Sequence, residues 1–375
     1  MSVEVREIPL GGKLDDFLNV VDRVYADDRC FVRPLDFDIK GRLTKKNPFF
    51  QHAEGTIFTA YKDGQCVGRA TAQIDRAWND RYHEKTAFFG FFDTIDDAAV
   101  ARALLERAEA FARSRGMSRL LGPMSLGSNE EMGCLVDGFD MPPMVMMPHH
   151  RAYQGALIEA AGFVKAKDVY AWKYVVGGLP ARAKKASEQI KALPEVTARH
   201  LDKSRITEEI ELVMDIFNDA WSENWGYVPM TRPELRKLAD EFKLILVPEL
   251  TYIVSIDGEP AAFAIAIPNL NEHLRGLQGK LLPTGAIKLL WGLKVKGSTQ
   301  ARLALLGVRK KYRGMKKYGA LSTFMYAELA KSGQRLGINW GELSWTLEDN
   351  APVNLAIKFM GGKIYKTYRI YEKPL

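Results

Sequence analysis

Histidine and cysteine are scarce in this chain, at six and three among 375 residues. Cys30, Cys66 and Cys134 stand far apart, without the paired spacing of a zinc site, and the histidines form no helical His–Glu pair. The sequence therefore carries no metal-site signature, and three buried, unpaired thiols fit a reducing compartment. Long apolar runs are also missing: no stretch reaches the roughly 18 uninterrupted apolar residues that a membrane-spanning helix needs. Residues 1–6 lack the apolar core of a secretion signal and read as a first strand, so a cytoplasmic location is expected.

What is present is an ordinary globular balance, 47% hydrophobic and 26% charged, over a length that suits two or three domains. The formal net charge is +7, unevenly spread. Lys294, Lys296, Arg302, Arg309, Lys310, Lys311, Arg313, Lys316 and Lys317 crowd one short stretch. Such a cluster suits a polyphosphate ligand, an anionic membrane surface or nucleic acid, and it can equally be a solvated face.

Hydrophobic periodicity divides the chain. In the first half, strands are expected at 3–8, 55–61, 65–74, 86–93, 120–123 and 169–176, with helices at 14–25, 96–115 and 153–161. Gly177-Gly178-Leu179-Pro180 breaks the pattern, and 181–192 reads as a lysine-rich connecting helix. The second half repeats the order: strand 196–201, helices 206–220 and 233–246, strands 251–256, 261–267 and 302–308, helix 319–332, strand 340–345, helix 351–360, strand 363–371. An insertion, 268–298, carries an apolar helix near 284–293. The repeat suggests an internal duplication. The expected domains are 1–178 and 195–375, joined by a linker helix at 179–194. The alternation argues for an α/β fold, each half a mixed central sheet flanked by helices.

Two stretches of the second half carry chemistry. Arg302-Leu-Ala-Leu-Leu-Gly307-Val308 is a buried strand that runs into the basic loop Arg309-Lys-Lys-Tyr-Arg313-Gly314-Met-Lys316-Lys317-Tyr318-Gly319-Ala320, and a helix follows directly. Free N–H groups at a helix start, with basic side chains nearby, make a pyrophosphate cradle. Downstream, Gly341-Glu342-Leu-Ser-Trp-Thr-Leu-Glu348-Asp349-Asn350-Ala-Pro-Val-Asn354 is a strand ending in a polar turn before a short helix.

Together these stretches resemble the GCN5-related N-acetyltransferase family. The resemblance implies tandem domains of that fold, with acyl-CoA as donor substrate and no metal. It places Leu306, Gly307 and Val308 against the pantetheine arm, Arg313, Gly314, Lys316, Lys317, Tyr318, Gly319 and Ala320 around the phosphates, and Asn350 and Asn354 near the CoA arm. The sequence departs from the family pattern where Lys316 and Tyr318 replace loop glycines, and where Ile357 stands in place of a tyrosine general acid.

The first half has no such loop. Its phenylalanine-rich strand passes through Asp93-Thr-Ile-Asp-Asp straight into a helix, and those carboxylates would repel pyrophosphate. It reads as a degenerate copy on the acceptor side, where the segment 122–150 combines Asn129, Glu130 and His149 with methionines and prolines suited to an irregular apolar ligand. In the second half Trp221, Glu223, Trp225 and Tyr227 could form an acceptor wall holding an amine beside apolar chain, or simply aromatic core. The apolar 281–283 and 287–293 of the insertion would extend that surface. Transfer to an amine needs a proton acceptor and a polarised thioester. Glu342, Glu348, Glu130 and His149 are the candidates to take the proton.

The motifs Lys-Lys-Asn-Pro-Phe-Phe (45–50), Gly-Phe-Asp…Pro-Pro-Met…Met-Met-Pro and Trp-Thr-Leu-Glu-Asp-Asn resemble a narrower group of bacterial two-domain proteins. Some members of that group are similar to bacterial ceramide synthase, which transfers a long acyl chain from acyl-CoA to a sphingoid base. The resemblance implies a lipid-like amine acceptor and peripheral association with an anionic membrane face, with nucleic acid an unfavoured partner. An acetyltransferase of a polar amine or peptide, an aminoacyl-tRNA-dependent transferase and a non-catalytic acyl-CoA sensor stay open as alternatives.

Overall fold

The computed structural model describes residues 2–281 and 283–375, and Lys294 without its side chain. Met1, Leu282 of the apolar 281–283 stretch and the Lys294 side chain of the basic cluster thus lie outside the described residues. The strands in chain order are β1 (Glu4–Ile8), β2 (Ala53–Lys62), β3 (Gln65–Asp75), β4 (Thr86–Thr94), β5 (Arg119–Gly122), β6 (Cys134–Asp137) and β7 (Val164–Val175). They continue with β8 (Val196–Arg199), β9 (Thr251–Ile256), β10 (Glu259–Pro268), β11 (Gln300–Val308), β12 (Trp340–Leu347) and β13 (Lys363–Pro374). Helices alternate with them as expected for an α/β fold. Cys134 is buried and free, whereas Cys30 and Cys66 are only half-buried thiols.

Two compact units divide the chain: Met1–Val169 with His273–Leu289 and Lys366–Leu375, and Tyr170–Glu272 with Leu290–Tyr365. In the first unit β1 to β4 form an antiparallel ladder, β5 runs parallel to β4, and the chain's last residues pair with β5 from Tyr371↔Gly122 to Pro374↔Arg119. The helix Ala98–Arg113 covers this sheet. Asp97 caps its start by accepting from the N–H groups of Ala99 and Val100, which satisfies donors a helix cannot satisfy itself. Its apolar stripe, including Val100, Leu104, Leu105 and Ala108, is fully buried with Phe58, Ala70, Ala72 and Phe89. Each such leucine contributes about 2 kcal/mol relative to an exposed one.

The parallel pairing of β4 with β5 ends at Phe88↔Leu121. Beyond that point the unit fills the gap between the strands with its own chain. Met124 donates its N–H to Phe89 O at 2.7 Å, and Ser125 Oγ accepts from Phe91 N. Gln73 Nε2 donates to the carbonyls of Met124 and Leu126, and Arg42 donates to Ser125 O. Met124, Ser125 and Leu126 are all buried. Gly90 is required here, because a Cβ on it would sit 1.9 Å from Met124 O.

In the second unit β8, β9, β10 and β11 form an antiparallel ladder and β12 runs parallel to β11. Asp257 and Gly258, both at positive φ, make the two-residue turn between β9 and β10. The helix Leu321–Arg335 packs Leu321, Phe324, Met325 and Leu329 into a core with Tyr252, Val254, Ala262 and Ala264. A capping box between Thr231 and Glu234 starts the helix Arg232–Ile245.

Gly90→Ala is expected to lower the free energy of unfolding by about 3 kcal/mol, the upper range for overpacking a filled site. Urea unfolding measures this, and an unchanged midpoint would contradict the filled gap.

Candidate active site

β11 and β12 bond only from Gln300↔Trp340 to Leu303↔Leu343. β11 then carries a bulge, since Ile265 faces Leu305 while Ala266 faces Leu303. A bulge re-aims a strand, and here it coincides with the end of the parallel ladder. In an antiparallel pair successive residues bond alternately to either side. Arg309 N bonds to Ala261 O on the β10 side, so the backbone groups of Leu306 and Val308 face away from β10, past the last β11–β12 pair. Two of the carbonyls there are engaged: Trp221 Nε1 donates to Leu306 O at 3.1 Å, and Arg313 Nε donates to Val308 O at 2.8 Å. Among the described residues the N–H groups of Leu306 and Val308 have no partner and remain as donors.

The side chains around this opening are apolar. Leu303 and Leu306 are half-buried against Trp172, Tyr174, Tyr326, Leu343, Val353 and Ile357. Gly307 faces the other way: a Cβ on it would lie 2.6 Å from Phe263 Cε1 and 3.3 Å from Ala220 Cβ. Two buried tyrosines of the cluster escape a sequence reading because they come from distant elements, β7 and the helix Leu321–Arg335. Burial raises both hydroxyl pKa values and keeps the groups protonated. The Tyr174 hydroxyl is buried with no hydrogen-bond partner among the described residues.

The loop after β11 consists of two successive helical turns, Lys310–Arg313 and Lys316–Tyr318. Gly314 (φ −85°) and Gly319 (φ −60°) both sit in ordinary right-handed conformation. The path therefore demands no glycine, which explains how Lys316 and Tyr318 fit where a glycine-rich loop would have none. Tyr318 and Tyr312 are buried edge-to-face with centroids 5.6 Å apart. No side chain caps the start of the helix Leu321–Arg335 at Ala320, so its first N–H groups keep their anion-binding capacity.

Charge in the loop is less free than the sequence suggests. Lys310 pairs with Glu223 at 2.7 Å, Lys311 with Glu259 and Lys317 with Glu195 at 2.5 Å each, and Arg309 with Asp215. Lys310 holds the Glu223 carboxyl below the usual range. Arg313 also donates to Ala220 O, and Asp219 accepts from Lys310 N. Exposed pairs of this kind are weak, so an incoming phosphate could exchange with the glutamates. Lys316 is exposed.

At the end of β12, Asn350 caps the helix Ala351–Phe359 by accepting from Val353 N. Asn354 donates to Leu347 O at 2.9 Å and more loosely to Glu348 O, and its buried Oδ1 has no partner among the described residues. A buried orphan acceptor is costly and suits a ligand N–H donor. The opening offers backbone donors, the helix start an anion-binding end and Asn354 an acceptor. Glu348 is half-buried at the same turn.

Glu342 is fully buried. Ser344 Oγ donates to it at 2.6 Å, Tyr365 hydroxyl donates to its other oxygen, and Arg302 Nε lies 3.6 Å away while bonding Ser344 Oγ. Arg302 and Glu342 are register partners in the short parallel ladder. This cluster pins the two strands just before they part. Tyr227 hydroxyl bonds Asn218 Oδ1 at 2.6 Å, Phe217 stacks on Trp221, and Trp225 is half-buried.

The remaining candidates belong to the first unit. Glu130 pairs with buried Arg42 at 2.7 Å, next to half-buried Asn129, and so helps hold the filling segment. His149 Nε2 lies 2.9 Å from Asp28 Oδ2, while its buried Nδ1 has no partner among the described residues. Burial lowers the imidazole pKa, which favours the neutral ring with Nδ1 as an acceptor.

No family model matches the chain. It is 41% identical over 378 residues to bacterial ceramide synthase of Caulobacter vibrioides (strain NA1000 / CB15N), spanning 100% of this chain and 98% of that protein. It is 39% identical over 365 residues to protein YghO of Escherichia coli (strain K12), spanning 96% and 93%. Among solved structures it is similar to a tandem GNAT protein from the clavulanic acid biosynthesis pathway, with TM-score 0.58, 13% identity and coverage of 99% and 98%. A GCN5-related N-acetyltransferase from Sphaerobacter thermophilus gives TM-score 0.55 at 11% identity over 99% and 95%. These structural likenesses show the tandem fold.

Arg302→Leu is expected to destabilise the protein by about 3–5 kcal/mol, because it strands a buried carboxylate. The double variant with Glu342→Leu regains most of that loss. A single-variant urea midpoint equal to the parent's would contradict the pinning role.

Proposed function

The chain belongs to the family of bacterial ceramide synthase and is an acyltransferase, and on that premise we propose that it transfers a long acyl chain from acyl-CoA to the amine of a sphingoid base. Full-length identity to the synthase is the observation that carries the reading. The apolar opening beside Leu303 and Leu306 supports a donor site in the second unit.

In this reading the pantetheine arm lies along β11 and the phosphates meet the loop 313–320 and the uncapped helix start. The N–H groups of Leu306 and Val308 polarise the thioester carbonyl, where negative charge develops. The neutral amine attacks directly: a C–N bond forms, the C–S bond breaks, and no acyl-enzyme intervenes. Tyr174 supplies the proton to the departing thiolate, taking the role that Ile357 cannot fill. Of the four candidates to take the amine's proton, Glu130 and Glu342 are engaged by buried arginines. Glu348 takes it in this reading, because it sits at the turn beside Asn350 and Asn354 in the unit that carries the proposed donor site. The acceptor is met at the cytoplasmic face of an anionic membrane.

Free CoA released by the purified protein tests the reading, with palmitoyl-CoA or acetyl-CoA offered beside sphinganine or polar amines. Thiol release with palmitoyl-CoA and sphinganine, and an N-acyl product by mass spectrometry, are expected. Tyr174→Phe should lower kcat about 100-fold with little change in KM for the donor. Release only with acetyl-CoA and a polar amine would overturn the lipid reading, and no release with any pair would overturn the transferase.

A further inference from the structure

The helix Gly285–Trp291 runs on into the π-helical turn Gly292–Lys296. Four large apolar side chains on this short segment face solvent: Ile287 is 69% exposed, Leu290 56%, Trp291 58% and Val295 67%. At about 100° per residue, positions 287, 290 and 291 fall within one stripe, and exposed Val295 follows in the wider π-helical turn. The opposite side is turned inward, with Gly285 buried and Ala286 and Leu289 half-buried. Gly285 is held against the preceding chain, since a Cβ there would lie 2.5 Å from Lys280 O. An apolar stripe of this kind, presented rather than buried, marks an interaction surface.

Charge decides what covers it. Lys288 and Lys296 are exposed beside the stripe, and neither is in an ion pair among the described residues. The loop cations Arg309, Lys310, Lys311 and Lys317 are by contrast each matched with a carboxylate. Two unmatched ammonium groups therefore stand beside the exposed apolar side chains. Lysine is depleted at protein–protein interfaces, whereas an apolar stripe with a tryptophan and flanking lysines suits the boundary between lipid headgroups and acyl chains. Free lysines gain from a negative surface potential.

We propose that the stripe Ile287–Leu290–Trp291–Val295 with Lys288 and Lys296 is a peripheral docking surface for an anionic phospholipid bilayer. The segment lies in the plane of the interface, apolar side chains among the upper acyl chains and ammonium groups at the phosphates. The inference rests on the proposed lipid acceptor for its choice of partner, and it adds the surface through which the protein reaches that acceptor.

Flotation of the full-length protein with phosphatidylcholine vesicles, with and without phosphatidylglycerol and with no substrate present, tests it. The protein is expected to float with the anionic vesicles and to be released by high salt. Leu290→Asp/Trp291→Asp should cut the bound fraction at least about tenfold, since each large apolar side chain withdrawn from water is worth about that factor. Lys288→Glu/Lys296→Glu should remove the preference for anionic vesicles. Circular dichroism melts of each variant confirm that the fold is kept. Floating of the Asp variant like the parent overturns the proposal, as does absence of vesicle binding by the parent. A parent that is dimeric in solution and made monomeric by the same variant assigns the stripe to a second copy and also overturns it. A parent that binds no vesicles yet releases CoA from palmitoyl-CoA and sphinganine in detergent would remove this surface and leave the proposed function standing.

Discussion

β11 and β12 share backbone hydrogen bonds only as far as Leu303↔Leu343, and the buried contact among Arg302, Glu342, Ser344 and Tyr365 holds them together at that point. Everything the second unit offers a ligand follows from this early stop. Past it, Leu306 and Val308 turn their N–H groups away from β10, and Leu303, Leu306, Tyr174 and Val353 line an apolar surface. A parallel ladder continued for four more residues would have used those donors internally. The burial of a charge pair at the junction is costly in itself, yet it fixes the register of two strands that have few other bonds to each other.

The first unit has the same strand order and a different outcome. Its parallel pair also stops early, at Phe88↔Leu121, but Met124–Leu126 enters the space and takes up the backbone groups of Phe89 and Phe91. Its covering helix is capped by Asp97, itself paired with Lys62, so the end that would attract a phosphate already holds a carboxylate. The corresponding helix of the second unit begins at Ala320 with no cap. One unit has used its opening for internal bonds; in the other the Asn354 Oδ1 acceptor has no partner among the described residues.

Much of this fold was legible because local signals agreed with packing. Residues 251–256 form a strand as expected, with the Asp257-Gly258 turn fixing its partner, and the stripe from Val100 to Phe111 gives its helix directly. The short helices Asp36–Arg42 and Arg76–Tyr82 carried too few turns to show a period, and β6 is held by pairing with β13 rather than by its own pattern. The basic loop was visible as charge, but its compensation by Asp215, Glu223, Glu259 and Glu195 comes from residues far away in sequence. Its low glycine content has a physical reason: two helical turns need no positive φ. Tyr174 was invisible because only the packing of β7 brings it to Leu303 and Leu306, and the role of Glu342 depends on a register with Arg302 that no local pattern announces.

The central claim is that the two units differ in whether the gap between their parallel strands is open, and hence that each chain binds one acyl-CoA. Isothermal titration of the purified protein with a non-hydrolysable long-chain acyl-CoA analogue measures this directly. One molecule bound per chain, with binding weakened by substitution at Asn354 and untouched by substitution at Asp97, is the predicted result. Two equivalent molecules per chain, or one whose binding depends on Asp97 and not on Asn354, would contradict it.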